Sequence, residues 1–518
     1  MYLVTANEMQ KMDRSTIESF GLPGRILMEN AGRGATQFFL DQFKNAENKK
    51  IGVIAGRGNN GGDGFVIARY LAQKGISVTV YLLSEHQKVS GDASANLKLL
   101  SPLKVPVIEM PDAKSFSAHE TAMRHEAIWI DAIFGTGLRS DVKGFFKDVI
   151  DFINRLNKPV FAVDIPSGLN SDTGQPCGAC IRADATATFA FAKTGHFMFP
   201  GADYTGNLKI IDIGVPPHIA HDIGPLQYLL TPDLIRAVFS PRPSDAHKGH
   251  TGHLLVIAGS TGKTGAAVMT ATSAMRSGAG LVTLGIPASL NPILEAQVIE
   301  TMTEPLPETV NGILDDTSVN RIMDLLSDKK CLAIGPGIGT APETQKLFKN
   351  LLQENTKPVV IDADGLNILA GHIEILKDLN TPVVLTPHPG EMARLIRTTS
   401  TDVQKDRIKC ARDFSAKFNV NVVLKGARTV VAHPDGRVFI NPTGNPGMAS
   451  GGMGDVLTGI IAGFIAQGHS PELAAHAGVY LHGAAADSLA KNKGPFGYLA
   501  TDVMDTLPEV IKTLAGSI

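Results

Sequence analysis

Short apolar runs alternate with helical patterns along almost the whole chain, and this alternation restricts the possible folds more than any other feature. In the first half the runs are IGVIAG, VTVYLL, AIWIDAIFG, PVFAVDIPSG, ATATFAFAK and LKIIDIG, each ending in glycine or a polar turn. Continuous Val/Ile/Ala runs are typical of strands buried on both faces, and intervening helices predict parallel pairing. The pattern therefore predicts an α/β fold in which helices cover both faces of a mainly parallel sheet.

A second series of runs follows a stretch that is rich in helix breakers, residues 231–252 (TPDLIRAVFSPRPSDAHKGHTG). The later runs are HLLVIAGS, LVTLGIP, CLAIGPGIG, PVVIDADG, PVVLTPHPGE, NVVLKGA and TVVAHPDGRVFI. The last two, with PDGR as a hairpin turn, predict a partly antiparallel edge. Because 518 residues exceed the size of an ordinary single core, we predict two domains, residues 1–226 and 227–518.

Composition favours small-molecule partners. The 48 basic and 50 acidic side chains give a formal net charge of −2, so no overall field would attract nucleic acid or an anionic membrane. The apolar stretch VLTGIIAGFIAQG is shorter than the roughly 20 residues of a transmembrane helix, and we interpret it as a buried helix. Four cysteines and an N-terminus without a basic leader or long apolar segment predict a cytoplasmic protein. We also expect a homo-oligomer.

Two short motifs are similar to a metal or redox site and to a phosphate-binding P-loop, but the residues around them do not favour either function. Cys177 and Cys180 form a CxxC, but no second CxxC or HxxxH accompanies them, so we interpret them as loop residues. AGSTGKTGA contains Gly-Lys-Thr after a strand, yet only two residues separate Gly259 from Gly262. A phosphate-binding P-loop needs a longer spacing between its glycines, so the motif argues against a P-loop ATPase.

A glycine-rich loop, GRGNNGGDGF at residues 56–65, joins the first predicted strand, IGVIAG, to a helix. Glycines at such a turn allow the backbone to approach a ligand, and the free amides of a helix N-terminus favour a phosphate. GRGNNG is similar to the dinucleotide fingerprint, but the acidic residue expected after the second strand is missing unless Glu85 serves. Asn59, Asn60 and Asp63 add oxygen ligands and an ionisable group; the alternative is a turn in which an Asn or Asp caps the helix.

Acidic and hydroxyl side chains follow the next two strands. Asp131 ends one strand before a glycine turn, and Asp164 and Ser167 follow the other. In open α/β sheets ligands bind beyond the carboxyl ends of the strands. Several oxygen ligands converging there would suit a hard monovalent or divalent cation.

A second glycine-rich loop, NPTGNPGMASGGMGDVLTGIIAGF at residues 441–464, runs directly into an apolar helix. Consecutive amides and the helix dipole form a cradle for developing negative charge. Asp455 stands beside that cradle, where a carboxylate can take a proton from a substrate hydroxyl during phosphoryl transfer. The alternative is that Asp455 is only an N-cap.

Nine motifs spread over nearly the whole chain together resemble those of the bifunctional NAD(P)H-hydrate repair enzymes of prokaryotes. They are GNNGGDGFVIAR, DAIFGTGLR, VDIPSG, AHKGHTG, IGPGIG, DADGLN, LTPHPGEMARL, LKGARTVV and TGNPGMASGGMGDVLTGIIAGFIAQG. The resemblance implies a Rossmann-like epimerase domain followed by a ribokinase-like, ADP-dependent dehydratase domain. It implies substrates NADHX and NADPHX, the hydrated forms of NADH and NADPH. The epimerase would interconvert their R and S forms, and the dehydratase would restore the cofactor from the S form while converting ADP to AMP and phosphate. K⁺ in the first domain and Mg²⁺ in the second are the implied metals.

Family motifs transfer to this sequence residue by residue. The resemblance implies Asp164 and Asp455 as catalytic residues, and Asn60, Asp131 and Ser167 as ligands of K⁺. In the epimerase, the hydrated cofactor would contact Asn59, Asn60, Gly61, Gly62, Asp63, Gly135, Thr136, Gly137, Leu138, Arg139, Ser140, Asp141 and Asp164. In the dehydratase it would contact Gly337, His388, Pro389, Gly390, Glu391, Met392, Ala393, Arg394 and Asp455. ADP would contact Lys425, Gly426, Ala427, Arg428, Thr429, Asn445, Pro446, Gly447, Met448, Ala449, Ser450, Gly451, Gly452, Met453 and Gly454.

Two departures and three alternatives accompany the resemblance. AHKG replaces the usual Ser-His-Lys-Gly, and Met453 stands where relatives place serine or threonine. Since backbone amides suffice at that position, we expect function to survive. A vitamin or sugar kinase would share the GxGD pattern but not the HPGE segment, and a nicotinamide-dependent oxidoreductase would need the missing ribose-binding acid. A non-catalytic binding protein would have little reason to keep Asp131, Asp164 and Asp455 at these positions.

Overall fold

The computed structural model describes residues 1–138 and 140–516. The fold comprises two compact units, one formed by Tyr2–Gln227 and the other by the residues from Tyr228 onward together with Met1. Each unit is an α/β structure with a mainly parallel sheet. The α/β fold class predicted from the alternating runs is confirmed for both units.

The first unit contains a seven-stranded, entirely parallel sheet with strand order β4-β3-β2-β5-β6-β7-β9. This is the doubly wound order of Rossmann domains, which reverses direction between β2 and β5. A short parallel pair, β1 with β8, lies outside this sheet. The strands are β1 (Tyr2–Val4), β2 (Ile51–Ala55), β3 (Val78–Leu82), β4 (Val107–Glu109), β5 (Ile128–Ala132), β6 (Val160–Val163), β7 (Ala185–Phe189), β8 (Ala192–Lys193) and β9 (Asn207–Ile211).

Helices cover both faces of this sheet because successive residues of each buried strand point to opposite sides. Val53 packs with residues of α2 and α3, whereas its neighbour Ile54 packs on the other face with residues of α5 and α6. The result is a three-layer unit. Its helices are α1 (Ala6–Glu18), α2 (Gly24–Gln42), α3 (Asn59–Gln73), α4 (Gly91–Lys98), α5 (Ala113–Met123), α6 (Gly144–Arg155), α7 (Gly201–Thr205) and α8 (Pro217–Ile223).

The second unit repeats this strand order and adds an antiparallel edge. Its sheet runs β13-β12-β11-β14-β15-β16-β17-β18-β19-β10, parallel as far as β17 and antiparallel from β17 through β18 to β19. The PDGR turn closes the β18–β19 hairpin, as predicted, and Gly436 N donates to His433 O at 3.0 Å. The strands are β10 (Gln227–Leu229), β11 (His253–Ile257), β12 (Leu281–Pro287), β13 (Met302–Leu306), β14 (Cys331–Ile334), β15 (Val359–Ile361), β16 (Val383–Leu385), β17 (Asn421–Leu424), β18 (Val430–Ala432) and β19 (Val438–Ile440).

The predicted buried helix in this unit is α18, whose residues from Val456 to Ala466 are all buried. It packs in one core cluster with residues of α10, α19 and α20. Across residues 1–138 and 140–516, no helix combines the length and apolarity needed to cross a bilayer. The helices are α9 (Pro232–Ile235), α10 (Thr264–Arg276), α11 (Asn291–Glu295), α12 (Val319–Leu326), α13 (Pro342–Glu354), α14 (Asp364–Gly371), α15 (Pro389–Ile396), α16 (Ser400–Lys405), α17 (Arg407–Phe418), α18 (Met453–Ala466), α19 (Pro471–Asn492) and α20 (Ala500–Ala515).

The predicted strand ATATFAFAK is wrong as a single element. It divides into β7 and β8 at Ala190, whose φ of 57° is left-handed. A non-glycine residue in that conformation cannot continue a strand. Four short strands, β1, β4, β10 and β13, were not predicted, because runs of three to five residues give little periodic signal.

Candidate active sites

The first candidate site is a crevice of about 1070 Å³ in the first unit. It lies beyond the carboxyl ends of β2 and β5, where the strand order reverses and where Rossmann sheets bind ligands. Most of the predicted epimerase residues line it, namely Asn59, Asn60, Asp63, Gly135, Thr136, Gly137, Leu138, Ser140 and Asp164. Gly61, Gly62 and Asp141 are not among the lining residues that the structure describes, and Arg139 lies outside the described residues.

Asp164 and Lys193 form a buried ion pair in the wall of this crevice. Lys193 Nζ lies 2.5 Å from Asp164 Oδ1 and also donates to Thr188 Oγ1 at 2.8 Å and to Phe189 O at 3.2 Å. The lysine side chain is only 1% exposed, whereas the Asp164 side chain is 14% exposed. Since an ammonium group has three protons, these acceptors occupy all of its donors. Lys193 therefore fixes Asp164 and leaves it facing the crevice.

His196 fixes the backbone around this pair. Burial lowers the pKa of His196 to about 3, and the positive charge of Lys193 adds to the effect. The ring is therefore neutral, and its Nδ1 accepts from Lys193 N at 3.1 Å. Its other nitrogen, Nε2, then carries the proton and donates to Asp164 O at 3.1 Å. This contact helps to hold Asp164 at a φ of 65°, which is unfavourable for a non-glycine residue.

Two further carboxyl groups, those of Asp13 and Asp63, line the same crevice. Burial raises the pKa of Asp13 to about 6, against the lowering effect of Lys193. Burial also raises the pKa of Asp63 well above its ordinary value, and the charges of Asp164 and Asp13 raise it further. The crevice therefore brings Asp164 together with two carboxyl groups whose pKa values are raised by burial, an arrangement suited to acid–base chemistry.

Two of the three predicted K⁺ ligands, Asp131 and Ser167, contact each other, and the third, Asn60, lines the crevice. Asp131 and Ser167 are fully buried, and Ser167 Oγ lies 2.6 Å from Asp131 Oδ1. Burial raises the pKa of Asp131 to about 6, although hydrogen bonds from Ser167 oppose the shift. The buried side-chain nitrogen of Asn60 has no partner in the described structure. Turning that amide would present its oxygen instead, so these residues fit a hard cation.

Two glycines of the first loop are required by packing. A Cβ on Gly56 would lie 2.2 Å from Ile133 O, and a Cβ on Gly61 would lie 1.9 Å from Gly56 O. Helix α3 begins after Gly58, and no side chain caps it. The alternative of an Asn or Asp cap is therefore wrong, and these glycines bring α3 close to the ends of β2 and β5.

The second candidate site surrounds the start of α18. Gly452 is the N-cap residue, with a φ of 86°, and no side chain caps the helix. Asp455 is the third residue of the helix, so its interpretation as an N-cap is wrong. Burial raises the pKa of Asp455 to about 6, the charge of Asp362 raises it further, and Lys425 lowers it. Uncapped amides and a carboxyl group that titrates near neutral pH thus lie side by side.

Lys425 connects this helix start to the HPGE segment. A Cβ on Gly454 would lie 3.2 Å from Lys425 Nζ. The same ammonium group lies 3.8 Å from Glu391 Oε2, and burial raises the pKa of Glu391 to about 7. His388 and Glu391 form a capping box at the start of α15. The structure therefore brings the predicted substrate segment, Lys425 and the glycine loop together.

Of the other predicted dehydratase residues, Gly337 and Asn445 lie on loops and Arg394 lies on α15. Gly337, with a φ of 68°, accepts a hydrogen bond from Ser260 of the GSTGKTGA loop at 2.7 Å. Arg394 donates to Asn367 at 2.9 Å, on α14. Asn445 Oδ1 accepts from Gly447 N at 3.0 Å and from Tyr498 Oη at 2.6 Å, so its loop is held rigidly.

Sequence reasoning missed Asp13, Lys193, His196 and Asp362. Lys193 and His196 lie in the segment FAKTGH, whose spacing matches no familiar ligand-binding motif. Asp362 was interpreted only as the residue that ends a strand. Cys177 and Cys180 are both free thiols, and burial raises the pKa of each. Neither of them lines the crevice that the structure describes.

In each unit a lysine–aspartate pair and a carboxyl group with a raised pKa lie near the glycine-rich start of a helix, an arrangement suited to an enzyme with two sites for phosphate-bearing ligands. The model of the YjeF-related protein N-terminus family matches residues 24–195, and that of the NAD(P)H-hydrate dehydratase family matches residues 254–509. The chain is similar to the bifunctional NAD(P)H-hydrate repair enzyme Nnr of Moorella thermoacetica, with 42% identity covering 99% of this chain and 97% of the relative. It is also similar to the bifunctional NAD(P)H-hydrate repair enzyme Nnr of Escherichia coli, with 36% identity covering 98% of this chain and 93% of the relative.

Among solved structures, the ADP/ATP-dependent NAD(P)H-hydrate dehydratase from Bacillus subtilis, co-crystallised with ATP and Mg²⁺, is 32% identical. It covers 55% of this chain and 98% of that one, with a TM-score of 0.49. The full-length identities place the chain: it belongs to the family of bifunctional NAD(P)H-hydrate repair enzymes.

Proposed function

We propose that this protein repairs hydrated nicotinamide cofactors at two separate sites. Residues 1–226 form an epimerase domain that interconverts the R and S forms of NADHX and NADPHX. Residues 227–518 form a dehydratase domain that converts the S form to NADH or NADPH while ADP becomes AMP and phosphate. Full-length similarity to relatives with this name carries the proposal, and a carboxyl group beside a phosphate-sized amide cradle in the second unit supports it.

In the dehydratase, Asp455 is the proposed general base. It takes the proton of the ring hydroxyl as that oxygen bonds to the β-phosphorus of ADP and AMP leaves. The ring nitrogen's lone pair then expels phosphate by breaking the carbon–oxygen bond, and loss of a proton from the adjacent ring carbon restores the dihydronicotinamide. The uncapped amides at the start of α18 stabilise the negative charge on the phosphoryl group.

In the epimerase, Asp164 is the proposed acid–base residue. Inversion at the hydroxylated carbon, by ring opening or by loss and return of water, needs a proton acceptor and a proton donor. Asp164 is fixed at the crevice by Lys193, and Asp63 holds a proton there because burial raises its pKa. In this proposal Asp164 accepts a proton and Asp63 donates one.

Two cations complete the proposal. Asn60, Asp131 and Ser167 would hold K⁺, which would balance the buried charge of Asp131 and orient neighbouring oxygen atoms. For the dehydratase, the described residues contain no cluster of three or more His, Cys, Asp or Glu side chains suited to a metal ion. Mg²⁺ would therefore be held mainly by the ADP phosphates, as is usual for this ion.

One assay tests the whole proposal. The protein is mixed with R and S NADHX, with ADP or without nucleotide, and the dihydronicotinamide absorbance is followed. With ADP we expect complete recovery and one AMP and one phosphate per NADH; without nucleotide we expect no recovery. Recovery of only the S fraction would contradict the epimerase assignment, and no recovery with ADP would contradict the dehydratase assignment.

A further inference from the structure

Asp362 is a buried carboxylate next to the proposed dehydratase site. It follows β15 directly and is 1% exposed. Its Oδ1 accepts from Lys425 Nζ at 2.7 Å, and its Oδ2 accepts from Thr458 Oγ1 at 2.7 Å. Thr458 lies on α18, one turn after Gly454 and Asp455. Asp362 thus connects the end of a central strand to both the lysine and the helix.

The backbone around Asp362 is held firmly. Asp362 N donates to Ile334 O on the neighbouring strand at 3.2 Å. Gly335 packs so closely that a Cβ there would lie 2.0 Å from Asp362 O. The next residue, Ala363, has a φ of 49°, a conformation that persists only when surrounding contacts impose it. These contacts fix the direction in which the carboxylate projects.

Lys425 keeps donors available for a ligand. Asp362 is its one hydrogen-bond acceptor within the described structure, and Glu391 lies beyond hydrogen-bond distance at 3.8 Å. An ammonium group has three protons, so two remain. Because Lys425 Nζ lies beside the backbone of Gly454, those protons are next to the uncapped amides of α18.

We propose that Asp362 is a positioning residue for ADP. Its carboxylate holds the Lys425 ammonium group against the start of α18, so that the lysine and the backbone amides of the helix bind the same phosphate. This role rests on the proposed dehydratase function. Thr458 fixes the second carboxylate oxygen, so that Asp362 cannot turn away from Lys425. Asp362 does not itself contact the nucleotide, since both of its oxygens are already occupied.

The pKa of Asp455 is raised mainly by burial, and the charges of Asp362 and, to a smaller extent, Asp364 raise it further. The negative charge of Asp362 raises the pKa of Asp455 more than the charge of Lys425 lowers it. Removing the charge of Asp362 should therefore lower the pKa of Asp455, whether or not Lys425 stays in place. Because any nearby negative charge has this effect, ADP affinity is the measurement that tests the positioning role.

The test compares full-length wild type with Asp362→Asn, which keeps the shape and removes the charge. We expect ADP binding, measured by calorimetry, to weaken by about tenfold. We also expect the acid limb of kcat/KM for S-NADHX to move to lower pH. Asp505→Asn is the matched control, because Asp505 pairs with Arg276 at 3.1 Å on the surface, with 59% of its side chain exposed; its ADP affinity should equal that of wild type.

Unchanged ADP affinity in a folded Asp362→Asn protein would overturn the proposed role, wherever the acid limb lies. Should that variant fail to fold, Thr458→Val provides the second test. It leaves the Asp362–Lys425 pair charged but frees it from α18, and we expect severalfold weaker ADP binding; wild-type affinity in Thr458→Val would overturn the role. A wild-type protein that does not bind ADP would instead contradict the dehydratase function itself.

Discussion

The two units share a strand order and a charge pair, but they use the pair differently. In both units an aspartate that binds a lysine directly follows the fifth strand of the parallel series, which is β6 when counted from β2 and β15 when counted from β11. In the first unit, Lys193 is saturated by three acceptors. In the second, Lys425 has one. The number of donors left over therefore separates a lysine that fixes an acid from one that can bind a phosphate.

The aspartates differ in the same sense. Asp164 is partly exposed at the crevice and is itself the proposed acid–base residue, whereas Asp362 is enclosed and acts through Lys425. In the mechanism proposed for the second unit, another residue, Asp455 on α18, takes the proton. Similar topology thus supports two chemistries because different residues surround the same pair.

The largest expected effect is that of Asp164→Asn, which should nearly abolish one activity and leave the other unchanged. Asp164→Asn should slow conversion of R-NADHX to S-NADHX by about a thousandfold, since acid–base groups typically contribute 10²–10⁴-fold. Chromatography of the two epimers without ADP measures this rate. Dehydration of pure S-NADHX should stay at the wild-type rate, and an unchanged epimerisation rate would remove the role of Asp164.

The lysines provide the next test. Lys193→Met leaves Asp164 buried without its partner, and breaking such a pair should destabilise the first unit by about 3 kcal/mol in thermal or denaturant unfolding. Lys425→Met likewise leaves a buried carboxylate, that of Asp362, without its partner, so we expect a similar loss of stability in the second unit and, in addition, about tenfold weaker ADP binding. Lys209→Met is the control, because Lys209 forms a long, exposed contact of 3.8 Å with Asp41. Wild-type ADP affinity in a folded Lys425→Met protein would contradict the distinction between the two lysines.

The pH dependence of dehydration should follow Asp455. A general base works as the carboxylate, and the pKa of Asp455 lies at about 6. Below that pH the base becomes protonated, so kcat/KM for S-NADHX should fall by about tenfold per pH unit. At pH 8 the charged form of a buried acid with a raised pKa is unfavourable. Asp455→Asn should therefore be inactive yet slightly more stable there, and lower stability would contradict this assignment.

The smallest expected effect concerns the glycine beside Lys425. In Gly454→Ala the new methyl group would lie 3.2 Å from the end of a flexible lysine side chain. The lysine can shift, so the KM for ADP should rise only about two- to fivefold. Gly371→Ala is the control because nothing lies within 4 Å of its Cβ position. A loss as large as that of Lys425→Met would mean that Gly454 itself limits binding.

Much of the fold and part of each site could be predicted from local patterns. The buried strands, the hairpin at PDGR and the buried helix α18 were confirmed, because periodicity and turn chemistry act over a few residues. Homo-oligomerisation and a cytoplasmic location stay predictions. Most residues assigned to the epimerase by resemblance line one crevice, and the HPGE segment, Lys425 and the start of α18 lie close together in the second unit, but the roles of all these residues stay predictions until the variants are measured.

The amino-acid sequence by itself determined where strands end and where glycine permits a tight turn, because both depend on near neighbours in the chain. Only the tertiary structure decided which charges meet. Lys193 lies 29 residues from Asp164, and Lys425 lies 63 residues from Asp362. Pairing over such separations depends on which strands become neighbours in the sheet. Burial then sets the pKa values of Asp63 and Asp455, because the loss of water around a carboxyl group disfavours its charged form.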